Sequence, residues 1–374
     1  MRVLIAPDKF KGTLTAREAA RAIARGWCRM RPDDLVTLLP LCDGGDGFGA
    51  ALVDLLNAKV HHIKTVDAAH RPITAPWWWQ ARTRSAIIES AKTIGLALLQ
   101  PRKFHPFHLD TRGLGEMLLA ARRHKARKII LGIGGSATND GGFGLARALG
   151  WTFWDRAGKE IKQWTQLDRL ARVVPGCTFL KDQLLVAVDV QNPLLGPQGA
   201  SRIYGPQKGL RPRDIARAEK CLRTLAAKMR DLTASDFSQV PGAGAAGGLG
   251  FGLQAFAGAK LESGFGMFAN HAGLDSWLGK VDLVLTGEGA IDATTMQGKG
   301  VGELARRCRD RRVPCVGFAG AVTLTVKTKK VFTQTCALTD FTTAAQALRR
   351  PGFWLAHVAE KTAENLVCNR SPRR

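Results

Sequence analysis

Seven acids in this chain stand beside glycines or directly after apolar runs: Asp8, Asp43, Asp46, Asp140, Asp189, Glu288 and Asp292. Three lysines, Lys11, Lys208 and Lys299, also sit next to glycines. Carboxylates that share a site with lysines suit Mg²⁺-assisted phosphoryl transfer. The metal bridges phosphate oxygens, lysines neutralise charge, and one carboxylate orients the attacking hydroxyl. Taken singly, a turn aspartate is an ordinary backbone cap; the recurrence after strand-like runs gives the set its meaning. One stretch concentrates such groups, Gly132-Ile-Gly-Gly-Ser-Ala-Thr-Asn-Asp-Gly-Gly142, between the apolar run Ile129–Leu131 and a helix-like run from Gly144 to Leu149. Strand, glycine-rich turn and helix can face an anion with backbone N–H groups and a helix N-terminus. Gly134 and Gly135 allow close approach, Ser136, Thr138 and Asn139 add donors for phosphate or carboxylate oxygens, and Asp140 adds a carboxylate that could hold a metal.

Other chemistries fit less well. Gly132-x-Gly134-x-x-Ala137, with Asp155 further on, matches a dinucleotide fingerprint. Its continuation through Thr138, Asn139 and Asp140 would crowd the helix–strand packing that fingerprint needs. A P-loop is absent: Gly298-Lys299 is preceded by Ala293 and followed by Gly300. Ser136 lacks a Gly-x-Ser-x-Gly setting, which disfavours a serine hydrolase. The eight cysteines are scattered without metal or redox spacing, so reduced, mostly buried thiols are expected. The net charge of +24 raises nucleic acid or an anionic substrate as partners. Yet the basic residues are spread along the chain and no nucleic-acid-binding signature accompanies them. No apolar run approaches the roughly 20 residues that span a bilayer, and a cytosolic protein is expected.

The elements that must position these groups alternate. Val3–Ala6 reads as a first strand. Thr15-Ala-Arg-Glu18 is a capping box opening a helix with Ala19, Ala20, Ile23 and Trp27 on one face. Leu35–Leu39 is a second strand, and a helix through Leu52 and Leu55 follows Cys42-Asp-Gly-Gly-Asp-Gly47. This alternation predicts an α/β fold with a parallel sheet. From Val60 to Leu99 strands dominate, with Trp77-Trp78-Trp79 read as sheet packing, and an inserted second domain could begin there. Helices are predicted over 113–124 and 212–229, and strands over 184–188, 281–285 and 313–318. Val240–Gly252 carries six glycines without the serines and charges of a flexible spacer, which marks close backbone approach.

Seven blocks, in order, closely resemble the bacterial glycerate kinase type I family. They are Ala6-Pro-Asp-Lys-Phe-Lys-Gly-Thr-Leu-Thr-Ala16, Asp43-Gly-Gly-Asp-Gly47, Gly132 to Gly142, Asp189-Val-Gln-Asn-Pro-Leu194, Gly205-Pro-Gln-Lys-Gly209, Val240 to Leu249 and Thr286-Gly-Glu-Gly289. The resemblance implies ATP-dependent phosphorylation of D-glycerate with Mg²⁺, usually at the 2-hydroxyl to give 2-phosphoglycerate and ADP. It implies two α/β domains, a Rossmann-like one (residues 1–59 plus 280–374) and an inserted one (60–279), with the active site in the cleft between them. From residue type and loop position, Asp189 is expected to orient or deprotonate the hydroxyl, and Lys11 or Lys299 to neutralise the transferring phosphoryl group. Gly134, Gly135, Ser136, Thr138, Asn139, Lys208 and Glu288 hold phosphate or carboxylate oxygens, and Asp43, Asp140 or Asp292 reaches Mg²⁺. Glu89 also matches a family position. Expected partners are D-glycerate and ATP, with no membrane, nucleic acid disfavoured, and a homodimer left open as the assembly.

The chain departs from the family pattern at several places. Where the pattern has Glu then Gly-Thr, this chain has Asp46 and Phe48; where it has Arg and Gln, this chain has Ala290 and Thr294. Losing a planar cation and an amide near an anion site alters how phosphate or carboxylate is gripped. These departures motivate an alternative, a non-catalytic ligand- or nucleic-acid-binding protein on the same scaffold.

Overall fold

The apolar runs become strands that collect into two principal parallel or mixed sheets. The structure, a computed structural model, describes all residues except 11, 43–47, 101–102, 181, 297–299, 324–325 and 369–374, together with the side chains of 50, 54, 327, 367 and 368. The chain is a mixed α/β protein of two compact units, residues 1–43 with 265–374, and residues 44–264. The division expected at 59/60 and 279/280 stands against one at 43/44 and 264/265.

Strands are numbered along the chain. The first unit holds β1 (Arg2–Ile5), β2 (Leu35–Leu38), β11 (Leu283–Ile291), β12 (Cys315–Val322) and β13 (Gln334–Ala337) in the order β13–β12–β11–β1–β2. All neighbours are parallel, with Val3 opposite both Leu283 and Val36. Val3, Leu4 and Ile5 are fully buried, as a central parallel strand covered on both faces requires. The Ala16–Met30 helix starts as its capping box predicts: Thr15 Oγ1 accepts from the Glu18 N–H at 3.2 Å and Glu18 accepts from the Thr15 N–H at 2.9 Å. Such a cap contributes about 1 kcal/mol. The helix buries Ala19, Ala20, Ile23 and Trp27 in one core with Phe318 and Leu355.

The second unit holds β3 (Lys59–Val66), β4 (Pro72–Gln80), β5 (Ser85–Glu89), β6 (Lys128–Gly132), β9 (Leu184–Ala187) and β10 (Lys260–Glu262), ordered β10–β9–β6–β5–β4–β3. β3, β4 and β5 form an antiparallel meander, while β5, β6, β9 and β10 run parallel. Trp77 lies in the core of this unit and Trp79 packs against it, so the tryptophan run is sheet packing. A small antiparallel pair, β7 (Thr152–Asp155) and β8 (Leu170–Val174), completes the strands described. The Pro212–Thr233 helix buries Ala218, Leu222 and Leu225 at helical spacing. Among the described residues, no helix is long and apolar enough to cross a membrane.

Candidate active site

In the second unit, three adjacent parallel strands end side by side. Gly132 pairs with Glu89 on β5 and with Ala187 on β9. The glycine-rich stretch, Glu89-Ser90 and Val188-Asp189 therefore leave the sheet together at its carboxyl edge, where open α/β sheets collect their chemistry.

Gly135 is exposed, with φ +73, a conformation glycine adopts at little cost. Gly134 is half-buried and Ser136 is 6% exposed. Beyond them the loop turns inward: Thr138, Asn139 and Asp140 are fully buried. Ser136 Oγ and Thr138 Oγ1 lie 2.9 Å apart. Asn139 Nδ2 donates to Ser201 Oγ at 2.9 Å, and among the described residues Asn139 Oδ1 is buried without a partner.

Asp140 is engaged on both oxygens. Its Oδ2 accepts from the Thr111 N–H, the Thr111 hydroxyl and the Gly144 N–H at 2.8–2.9 Å, and its Oδ1 accepts from the Gly142 N–H at 3.2 Å. Burial, then the charge of Asp110, push its pKa up to about 6, against the pull of its donors. Four protein donors on a fully buried carboxylate do the work expected instead of a metal, so this acid fits Mg²⁺ poorly and holds the loop to the start of the Arg112–Arg123 helix.

Lys208 closes the Ala200–Lys208 helix, and its Nζ donates to the Thr138 carbonyl at 2.6 Å. It is 7% exposed; burial lowers its pKa to about 7, and the charge of Asp140 offsets part of that. Thr138, Asn139 and Lys208 thus brace the loop from within. Thr111 and Ser201, which complete this bracing, were not singled out in the sequence; the position of Thr111 just before a predicted helix was the available signal.

The second glycine-rich segment explains itself against the first. Within the Ala245–Ala257 segment, Ala246, Gly247 and Gly248 are left-handed before the regular helix continues. The Gly141 N–H donates to the Gly247 carbonyl at 3.1 Å, and a Cβ on Gly247 would stand 2.0 Å from the Thr138 carbonyl oxygen. The expected close approach is therefore between these two backbones.

Asp189 Oδ1 accepts from the Ser263 hydroxyl at 3.2 Å and the Gly264 N–H at 2.9 Å. Glu89 is 3% exposed; its Oε1 accepts from the Gly49 N–H at 2.5 Å and Lys92 Nζ lies 3.7 Å from Oε2.

In the first unit, β1 sits between β2 and β11, so the connections leave in opposite directions at the β1/β11 pair, the topological switch point. The Asp8 N–H donates to the Gly287 carbonyl at 2.8 Å, and Thr286 Oγ1 donates to the Ala6 carbonyl at 2.6 Å. Asp8 and Glu288, 9% and 8% exposed, follow at this point. Asp292 is half-buried in a polar turn, its Oδ1 accepting from the Thr294 N–H and hydroxyl at 2.7 Å each. Ala290 is exposed on β11. Lys11, Asp43 and Lys299 lie outside the described residues.

Fold and site together define an α/β protein whose glycine-rich loops and acids gather at the carboxyl ends of parallel strands. The chain belongs to the glycerate kinase family, a family of phosphotransferases, whose model matches residues 3–367. It is 38% identical over 330 residues to the glycerate 2-kinase of Escherichia coli K12, covering 86% of each chain. It is also 38% identical to a glycerate kinase of Bacillus subtilis 168, covering 86% of this chain and 85% of that one. A crystal structure from Salmonella typhimurium LT2, described as a glycerate kinase 2, superposes with a TM-score of 0.83 at 34% identity over 99% of both chains.

Proposed function

We propose that this chain transfers the γ-phosphoryl group of ATP to the 2-hydroxyl of D-glycerate, giving 2-phosphoglycerate and ADP. The observation that carries the reading is the shared edge of β5, β6 and β9. It sets an exposed glycine-rich turn beside Asp189 in a chain of this kinase family.

In this mechanism the glycerate hydroxyl donates a hydrogen bond to Asp189. As its oxygen attacks the γ-phosphorus, the proton passes to the Asp189 carboxylate and the bond to the ADP oxygen breaks. The donors from Ser263 and Gly264 hold one Asp189 oxygen, which supports this role. Gly134 and Gly135 present the open part of the loop to phosphate or carboxylate oxygens, and the buried Ser136 is assigned to the same oxygens from sequence. Thr138, Asn139 and Lys208, all buried, keep that part in shape. Glu288 is assigned to a substrate-facing position at the switch point of the first unit. Lys11 and Lys299 are assigned to the charge of the transferring group from sequence alone.

When bound with ATP, Mg²⁺ would supply further neutralisation of that charge. It keeps several waters and takes few carboxylates. Asp292, half-buried on a polar turn, fits such a cation, and Asp43 is assigned to it as an alternative from sequence alone.

A coupled assay tests the reading: ADP release should require D-glycerate, ATP and Mg²⁺ together, and phosphorus NMR should identify 2-phosphoglycerate. No ADP release with several divalent metals and small hydroxy acids would overturn it, and a 3-phosphoglycerate product would overturn the assigned hydroxyl.

A further inference from the structure

The first unit carries a second polar surface at the opposite edge of its sheet. A concavity of about 260 Å³ opens at the amino ends of β12 and β13, whereas Asp8 and Glu288 belong to the carboxyl edge. Arg309, Arg312 and Lys330 line it, together with Pro314 and the buried Val331 and Phe332. Asp310 takes two donors from Arg309, at 2.7 and 3.0 Å. Among the described residues, Arg312 and Lys330 have no acidic partner. The neighbouring Arg306, Arg307 and Arg311 are each paired with Glu303 or Asp275.

The backbone at Arg312 shapes one wall of the concavity. It is left-handed, with φ 58, and closes the Gly300–Asp310 helix; the Val313 N–H donates to the Cys308 carbonyl at 2.9 Å just after it. Glycine is the ordinary residue at such a helix end, and a residue with a Cβ is strained there by about 1 kcal/mol. This left-handed turn delivers Arg312 and Val313 to the lining of the concavity.

We propose that this concavity binds a small organic phosphate. Arg312 and Lys330 take the phosphoryl group, and the carbon skeleton lies along Pro314 and Phe332. Three cations against the one carboxylate of Asp310 leave two positive charges, which match a phosphate dianion, and the guanidinium fork suits its oxygens. The volume admits a metabolite of a few carbons and is below the range of drug-sized pockets. The site stands on charge and shape, and does not rest on the proposed reaction.

Hydrogen–deuterium exchange on the full chain tests it, with 3-phosphoglycerate, inorganic phosphate or sodium chloride at matched ionic strength. Amides of residues 309–314 and 330–333 should be protected by 3-phosphoglycerate at about tenfold lower concentration than by inorganic phosphate. Arg312→Gly relieves the backbone, so its melting temperature should equal or exceed the parent's. Arg312→Gly and Lys330→Met should each raise the concentration needed for protection about tenfold. Equal protection by sodium chloride, equal potency of inorganic phosphate, or protection unchanged in both variants would overturn the proposal.

Discussion

Thr111 and Asp140 are joined through both donors of the threonine, whose backbone N–H and hydroxyl meet Asp140 Oδ2 at 2.9 and 2.8 Å. The same hydroxyl accepts from the Leu145 N–H at 2.8 Å, so one threonine ties the start of one helix to the loop and to the next helix.

Asp140→Ala strands its four buried donors and should destabilise the fold by about 3 kcal/mol or more. Asp140→Asn keeps a carbonyl oxygen for three of them and should cost less. The pH dependence follows from the acid's pKa, about 6 folded against 3.8 for the ordinary side chain. The folded state takes the proton first. Above about pH 6 the ionised, buried form is a cost; as pH falls towards 3.8 that cost is relieved, on the order of 3 kcal/mol for this group alone. Urea melts of the parent and Asp140→Asn at several pH values should show this contribution in the parent and its loss in the variant.

Lys208 has the opposite handle. Its pKa is about 7 folded against 10.5 ordinarily, so below 7 it is charged in both states and its burial cost is present in full. Between 7 and 10.5 the unfolded chain binds more protons, and stability from this group rises with pH. Lys208→Met should abolish that rise, a change on the order of 3 kcal/mol between pH 7 and about pH 9.5 in denaturant melts. A pH slope unchanged by the substitution would remove Lys208 from this role.

Gly247→Ala should be far more damaging than Gly196→Ala. Both glycines have positive φ, +74 and +89, but a Cβ at 247 meets the Thr138 carbonyl at 2.0 Å while none of its surroundings lies within 4 Å at 196. Backbone strain alone costs about 1 kcal/mol, and the clash at 247 should bring the loss above about 3 kcal/mol. Thermal melts compare the two, and the 247 variant should also lose kinase activity through displacement of the loop.

Asp189→Asn keeps an acceptor for Ser263 and Gly264 but removes the charge that takes the hydroxyl proton. Turnover should fall about 10²- to 10⁴-fold with the melting temperature within a few degrees of the parent's. Near-normal turnover would exclude Asp189 from proton transfer.

Local rules made much of the fold legible. The capping box at Thr15 and Glu18, the apolar run Val3–Ala6 and the spacing of Leu222 and Leu225 each report a short-range preference that the tertiary structure keeps. The six glycines of 240–252 signalled close approach, but not to what, because the approaching backbone lies about a hundred residues earlier. For the same reason Asp140 read as a metal ligand: a carboxylate in a glycine-rich loop looks available until Thr111, 29 residues away, is folded against it. The unit boundaries were hidden because helices and strands on either side of them carry the same periodicities.

The central position of β1 has a consequence for synthesis. Its neighbour β11 is 280 residues further along, as the Thr286–Ala6 hydrogen bond measures. A ribosome needs about 15–60 s to cover that distance. During that interval the most apolar run of the first unit has β2 on one side and an open edge on the other, while the second unit emerges whole. The nascent chain must shield Val3–Ala6 until Leu283 arrives, so a strand made long before its neighbour waits for its final pairing.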